Sequence, residues 1–118
     1  MLQHRSETAK RYPGHWGIFG GGIEVGEEPE MAMRREILEE LEYIPKNPTL
    51  ILSQSFENKY KEGRATKYVF IDRYDESQVL KQHEGQGLAW FSLEKIRELP
   101  VIDHDMEVYE TAAGYLQQ

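Results

Sequence analysis

The 118-residue chain contains no cysteine. Disulfides and thiolate metal sites are therefore excluded, and a reducing compartment such as the cytoplasm is the natural expectation. It also lacks any apolar run approaching the roughly 20 residues that a membrane helix needs. Its first residues, MLQHRSETAKR, have no apolar stretch behind their charges, so they do not read as a secretory leader. Basic residues are scarce, with 14 Lys and Arg against 21 Asp and Glu and a net charge of −7. Surfaces that track a phosphate backbone are usually basic, so stable nucleic-acid binding is not expected. Small phosphorylated ligands remain open, because a bound metal ion inverts the local sign of an acidic site. There is no internal repeat and no low-complexity segment.

What is present fits one domain over residues 1–118, with 39% hydrophobic and 30% charged residues. MLQHRS reads as the end of a strand, followed by a polar loop with Pro13 and Gly14. The apolar run His15 to Phe19 suits a short strand leading into glycines. After Pro29 the pattern turns helical: Met33, Ile37 and Leu41 recur every four residues, with Leu38 beside them. Pro29 suits a first helical turn, Glu27, Glu28 and Glu30 suit its positive end, and Pro45 and Pro48 stop it. TLILSQSFENKY and ATKYVFIDRY, rich in β-formers, predict a hairpin around KEGR. GLAWF suits a further strand, Ser92 can cap the short helix LEKIREL, and Asp103 or Asp105 can cap a last helix. That helix would bury Met106, Tyr109, Ala113 and Leu116. Mixed strands and helices on this scale imply an α+β fold, or helices packed on a sheet.

Seven glutamates fall within the sixteen residues Glu27 to Glu42. Like charges three or four residues apart weaken an isolated helix, so the arrangement carries a cost. A Glu-rich helix in an acidic protein is most often a solvated face, and three glycines before a helix are most often a turn. Helical geometry nevertheless stacks Glu36 and Glu40 one turn apart at the margin of the buried face, with Glu39 adjacent. Converging carboxylates at the edge of a core are what a hard cation such as Mg²⁺ takes as ligands. Arg35 could orient one of them through a forked hydrogen bond.

The order of the pieces is more specific than the composition. Gly21 is followed by five residues and Glu27, then seven residues, Arg35-Glu36, aliphatic Ile37, Leu38 and Glu39-Glu40. This resembles the Nudix box of the Nudix (MutT-like) hydrolases over residues 21–43, at every charged position and at the leading glycine. The preceding HWGIFGGG is similar to the Trp-x-x-Pro-Gly-Gly lead-in common in that family, and HEGQGLAWFSLEKI (His83 to Ile96) to a segment with an acidic residue before a Trp-containing strand. The resemblance runs from about Leu2 to the last helix. It implies an α/β/α sandwich with a mixed sheet between helices, and Mg²⁺- or Mn²⁺-dependent hydrolysis of a nucleoside diphosphate linked to another group.

By position, the resemblance makes Glu36 and Glu40 the main metal ligands, Glu39 an assistant, and the Gly21 carbonyl a further donor. Glu84 becomes an additional ligand or the general base, so Glu36, Glu39, Glu40 and Glu84 form the catalytic set. Arg5, Gly20 and Gly21 become substrate-facing positions, and Glu27 and Arg35 brace the box as an ion pair. The substrate class implied is a (deoxy)nucleoside triphosphate, oxidised ones included. Nucleotide sugars, dinucleotides, RNA 5′ ends and a catalytically idle nucleotide-binding domain stay open.

Three departures stand out. Glu42 occupies the family's glycine position after the helix, a place that often takes left-handed backbone, and is expected to be no ligand. Phe19 replaces the proline of the lead-in. The family's usual first strand is lacking before LQHRS, which implies either a trimmed chain or a sheet completed by a partner, so a homodimer is expected as one solution. Of the remaining candidates, His15, His83 and His104 read as exposed loop histidines, and Trp16 and Trp90 as core. Tyr60, Arg64 and Lys67, beside the hairpin loop, are weaker candidates for substrate contact, as is Asp103.

Overall fold

The computed structural model describes residues 1–20, 23, 26–57, 64–83 and 85–116. The central strand of one sheet is β1 (Leu2–His4), which pairs antiparallel with β2 (Trp16–Gly17) on one side and β5 (Gly87–Ala89) on the other. A second, two-stranded sheet is the antiparallel hairpin of β3 (Thr49–Glu57) and β4 (Arg64–Ile71). Three helices complete the α+β arrangement: α1 (Pro29–Leu41), α2 (Leu93–Ile96) and α3 (Met106–Leu116), the last entered through a 3₁₀ turn at Asp103–Asp105. These follow the sequence pattern closely. Pro29 opens α1, where its missing N–H costs nothing, and Ser92 accepts the Lys95 N–H to cap α2.

The core gathers Leu2, Val69, Ile96, Val108 and Tyr109, flanked by Trp16, Ile18, Ile51, Leu52 and Phe91. A register shift between Leu50 and Leu52 inserts Ile51 as an extra residue opposite β4, which turns both Ile51 and Leu52 toward this core. Gly17 lets β2 pass close to the 3₁₀ turn: a Cβ there would stand 2.9 Å from Ile102 Cδ1 and displace that side chain. Among the described residues no strand covers the second edge of β4. Six consecutive residues, Thr66 to Ile71, line one cavity of about 1520 Å³, together with Met1, Ala32, Met33, Ile37 and Tyr109. Successive strand side chains point to opposite faces, so such a run marks an edge rather than a face. The Met1 amino group at this cavity is desolvated, which lowers its pKa.

Several expectations are corrected by packing. Leu38 is 50% exposed, whereas Ala32, Glu40 and Leu41 are the buried residues of α1. Placed at 100° per residue, Leu38 lies opposite the arc that Ala32, Glu40, Met33 and Ile37 share, so its neighbours in sequence misled the assignment. In α3 the buried pair is Val108 and Tyr109, and Leu116 projects from the last turn into solvent. Trp90 is exposed and tilts against Tyr74 at 5.3 Å, while Trp16 does pack on the core. His104 is not a loop histidine: it sits in the 3₁₀ turn with Nδ1 3.0 Å from Lys67 Nζ. Asp105 turns its carboxylate to Lys67 and Tyr109 instead of serving as a simple cap. Burial, reinforced by the Asp105 charge, raises the Tyr109 phenol pKa, so this hydroxyl acts as a donor throughout the physiological range.

The exit of α1 is fixed by a polar knot. The Tyr43 hydroxyl accepts the Asp75 N–H at 2.8 Å, and the Gln78 amide exchanges two 2.8 Å bonds with the Ile44 backbone. Hydrogen bonds from Ser77 and Gln78 hold the Asp75 carboxyl well below the usual carboxylate range. This knot ties the chain that leaves the carboxylate helix to the loop after β4.

Candidate active site

The carboxylates of α1 are organised around Arg35. Its Nε and Nη2 donate to the two oxygens of Glu27 at 2.7 and 2.9 Å, a bidentate fork. Its Nη1 donates to Glu36 Oε1 at 2.8 Å and stands 3.6 Å from Glu39 Oε2. Glu27 and Arg35 are thus ion-paired, and the same guanidinium bonds Glu36 and stands near Glu39, one positive charge against three carboxylates. Glu40 occupies a different environment. It is 4% exposed, and its Oε2 accepts the Gly20 N–H at 3.2 Å, which ties Gly20 to the helix. A carboxylate taken out of water is costly unless hydrogen-bonded or paired, so this burial requires its partners.

Gly20 has φ of +146° and would meet nothing within 4 Å if it carried a Cβ, so its backbone rather than crowding makes glycine suitable there. Gly21 and Glu84, the other two positions assigned to the site from sequence, lie outside the described residues, as does Tyr60. Arg5 donates from Nε to the Arg11 carbonyl at 2.8 Å. Lys67 is drawn into the buried pair with Asp105 and away from the role of a free substrate contact. The donor chemistry of Glu36, Glu39 and Glu40 suits a hard divalent cation, all oxygen and within one turn of helix. Among the described residues, no three acidic or histidine side chains are gathered tightly enough to hold a metal ion, because Glu36 and Glu39 face Arg35.

Sequence reasoning missed how the end of α1 is held. Glu42 has φ 53° and ψ 39°, the left-handed conformation anticipated for that position, at a cost of roughly 1–2 kcal/mol for a residue with a Cβ. Its N–H closes on the Leu38 carbonyl at 2.9 Å. The segment before β5 then docks on the helix end: the His83 N–H donates to the Glu40 carbonyl at 2.8 Å and the Lys81 N–H to the Leu41 carbonyl at 2.9 Å. His83 Nε2 also lies 2.5 Å from Glu42 Oε2. No sequence pattern signalled this pairing, since the two residues are 41 positions apart.

Comparison with known proteins agrees with this architecture. The NUDIX domain family model matches residues 1–112. The chain is 32% identical over 97 residues to the nucleoside triphosphatase NudI of Enterobacter sp. (strain 638), covering 75% of this chain and 69% of that protein. It is 36% identical over 87 residues to an RNA pyrophosphohydrolase of Aeromonas hydrophila, covering 73% of this chain but only 45% of that one. Its fold is similar to the crystal structure of a MutT protein from Methanosarcina mazei Go1, with a TM-score of 0.82, 24% identity and coverage of 99% and 84% of the two chains. By the family model over residues 1–112 and the identity to its relatives, the chain belongs to the Nudix hydrolase family.

Proposed function

We propose that the protein hydrolyses a phosphoric anhydride bond of nucleoside triphosphates, standard or oxidised, with Mg²⁺ or Mn²⁺ held by Glu36, Glu39 and Glu40. The observation that carries this reading is the buried Glu40 carboxylate, fixed by the Gly20 N–H beside Glu36 on the same helix. When bound, the cation neutralises charge on the phosphate oxygens and lowers the pKa of a water ligand. The chain's own residues do the positioning. The Gly20 N–H holds Glu40, and Arg35 links Glu27, from the segment before α1, to Glu36 and Glu39 on the helix. In-line attack at phosphorus needs such fixed geometry more than it needs a covalent nucleophile. Glu84, next in sequence to the anchored His83, is assigned as a further ligand or as the base that takes the water's proton. Gly21 is assigned as a backbone donor to the cation, and Arg5 as a phosphate contact once released from Arg11.

Relatives named as nucleoside triphosphatases support the substrate class. The pyrophosphohydrolase relative supports RNA 5′ ends as a second reading. Incubating the protein and Mg²⁺ with nucleoside triphosphates, 5′-triphosphorylated RNA, nucleotide sugars and dinucleotides decides between them. The expected result is fastest release of phosphate or pyrophosphate from a triphosphate. Turnover confined to RNA would favour the second reading, and no turnover of any of them would leave an idle nucleotide-binding domain.

No helix among the described residues is long and apolar enough to cross a membrane. We place the protein in the cytoplasm, with small nucleotides as ligands and neither nucleic acid nor membrane as a stable partner. The β4 edge, which no strand covers among the described residues, supports self-association as a homodimer. Light scattering should then return twice the chain mass, and a single-chain mass at micromolar concentration would remove the dimer from this reading.

A further inference from the structure

We propose that Glu42 and His83 form a positioning pair that holds the segment carrying residue 84 against the end of the carboxylate helix. The inference rests on the hydrolase reading above and goes beyond it, because Glu42 is where this chain departs from the Nudix box. A glycine would take the left-handed turn at φ 53° without strain, yet the chain keeps a side chain there. Strained backbone persists only where the surrounding structure holds it, and such residues cluster at functional sites. That side chain reaches His83, with Glu42 Oε2 2.5 Å from His83 Nε2.

The pair closes an existing seam. His83 and Lys81 already donate their N–H groups to the Glu40 and Leu41 carbonyls, so the segment lies along the last turn of α1. On the other side of residue 84, the Gln86 N–H donates to the His4 carbonyl at 2.8 Å. Gly85 has φ +80°, and a Cβ there would stand 2.7 Å from the same carbonyl oxygen. The chain is therefore anchored on α1 at His83 and on β1 at Gln86. Glu42 and His83 are 45% and 52% exposed, so their contact adds little to global stability. Its effect is local: it fixes His83, next in sequence to the residue assigned above as ligand or base, against the last turn of α1.

Glu42→Gly separates this role from a merely structural one, because stability and activity should move in opposite directions. Removing the strained residue is expected to raise the melting temperature, while kcat falls about tenfold with little change in KM, the size typical of losing an outer-shell partner. His83→Gln should lower kcat similarly, and the double variant should be no worse than either single one, as expected for coupled partners. Glu42→Gln keeps an oxygen toward His83 and should recover most of the loss. Amide exchange at His83 should accelerate in Glu42→Gly, a readout that needs no turnover. A Glu42→Gly protein with wild-type kcat, or with unchanged exchange at His83, would overturn the proposal. Absence of turnover in the wild type would instead sink the hydrolase reading, leaving the exchange rate to decide whether the pair holds the segment.

Discussion

Glu40→Gln is expected to lower turnover by about a thousandfold while the protein keeps its fold. The reasoning starts from burial. Glu40 is 4% exposed and accepts the Gly20 N–H, so it is the carboxylate least able to be replaced by water. Glutamine has nearly the same volume and keeps a carbonyl oxygen for Gly20, which preserves the tie between loop and helix. What it loses is the negative charge. A bound cation supplies several kcal/mol of transition-state charge stabilisation, and about 4 kcal/mol corresponds to three decades in rate. Removing a buried charge also relieves desolvation, so the melting temperature of the metal-free variant should be equal to or above that of the wild type. Addition of Mn²⁺ should raise the wild-type melting temperature by mass action and fail to raise that of the variant. Undiminished turnover, or undiminished stabilisation by Mn²⁺, would remove Glu40 from the metal site.

That prediction was within reach of the sequence because the box is a local pattern. Its Arg35, Glu36, Glu39 and Glu40 lie within one helix, and α1 fixes their mutual placement once its period is known. The elements were legible for the same reason: Pro29, Ser92 and the β-rich hairpin each act within a few residues. What stayed hidden depends on contacts between distant segments. Leu38 and Leu116 are apolar and at plausible spacing, yet which flank of a helix is buried depends on what packs there. The docking of Lys81 and His83 on the end of α1 involves backbone groups, which carry no sequence signature. Glu42 shows both sides. Its left-handed backbone was foreseeable from its place after the helix, but its partner was not.

The least legible feature is the ion pair of Lys67 with Asp105, and it carries the largest expected effect on stability. Asp105 is 2% exposed, and its partners come from β4, Lys67, and from α3, Tyr109, whose hydroxyl lies 3.4 Å from Asp105 Oδ2. Gln54 extends the cluster, donating from Nε2 to the His104 carbonyl and to Glu107, each at 2.8 Å. Lys67→Met leaves the buried Asp105 charge without its ammonium, which should cost about 3–5 kcal/mol. Against a total stability of roughly 5–15 kcal/mol this is a large share. With an unfolding entropy of roughly 2.1 cal/mol/K per residue, the melting temperature should fall on the order of 10–20 °C. The desolvation argument makes a second, opposing prediction. Replacing both partners, Lys67→Met with Asp105→Leu, leaves no unpaired charge and should lose less stability than Lys67→Met alone. A Lys67→Met protein that melts with the wild type would mean that the pair does not bind β4 to the start of α3. A double variant less stable than the single one would mean that Asp105 is held mainly by Tyr109 and His104, with Lys67 an accessory.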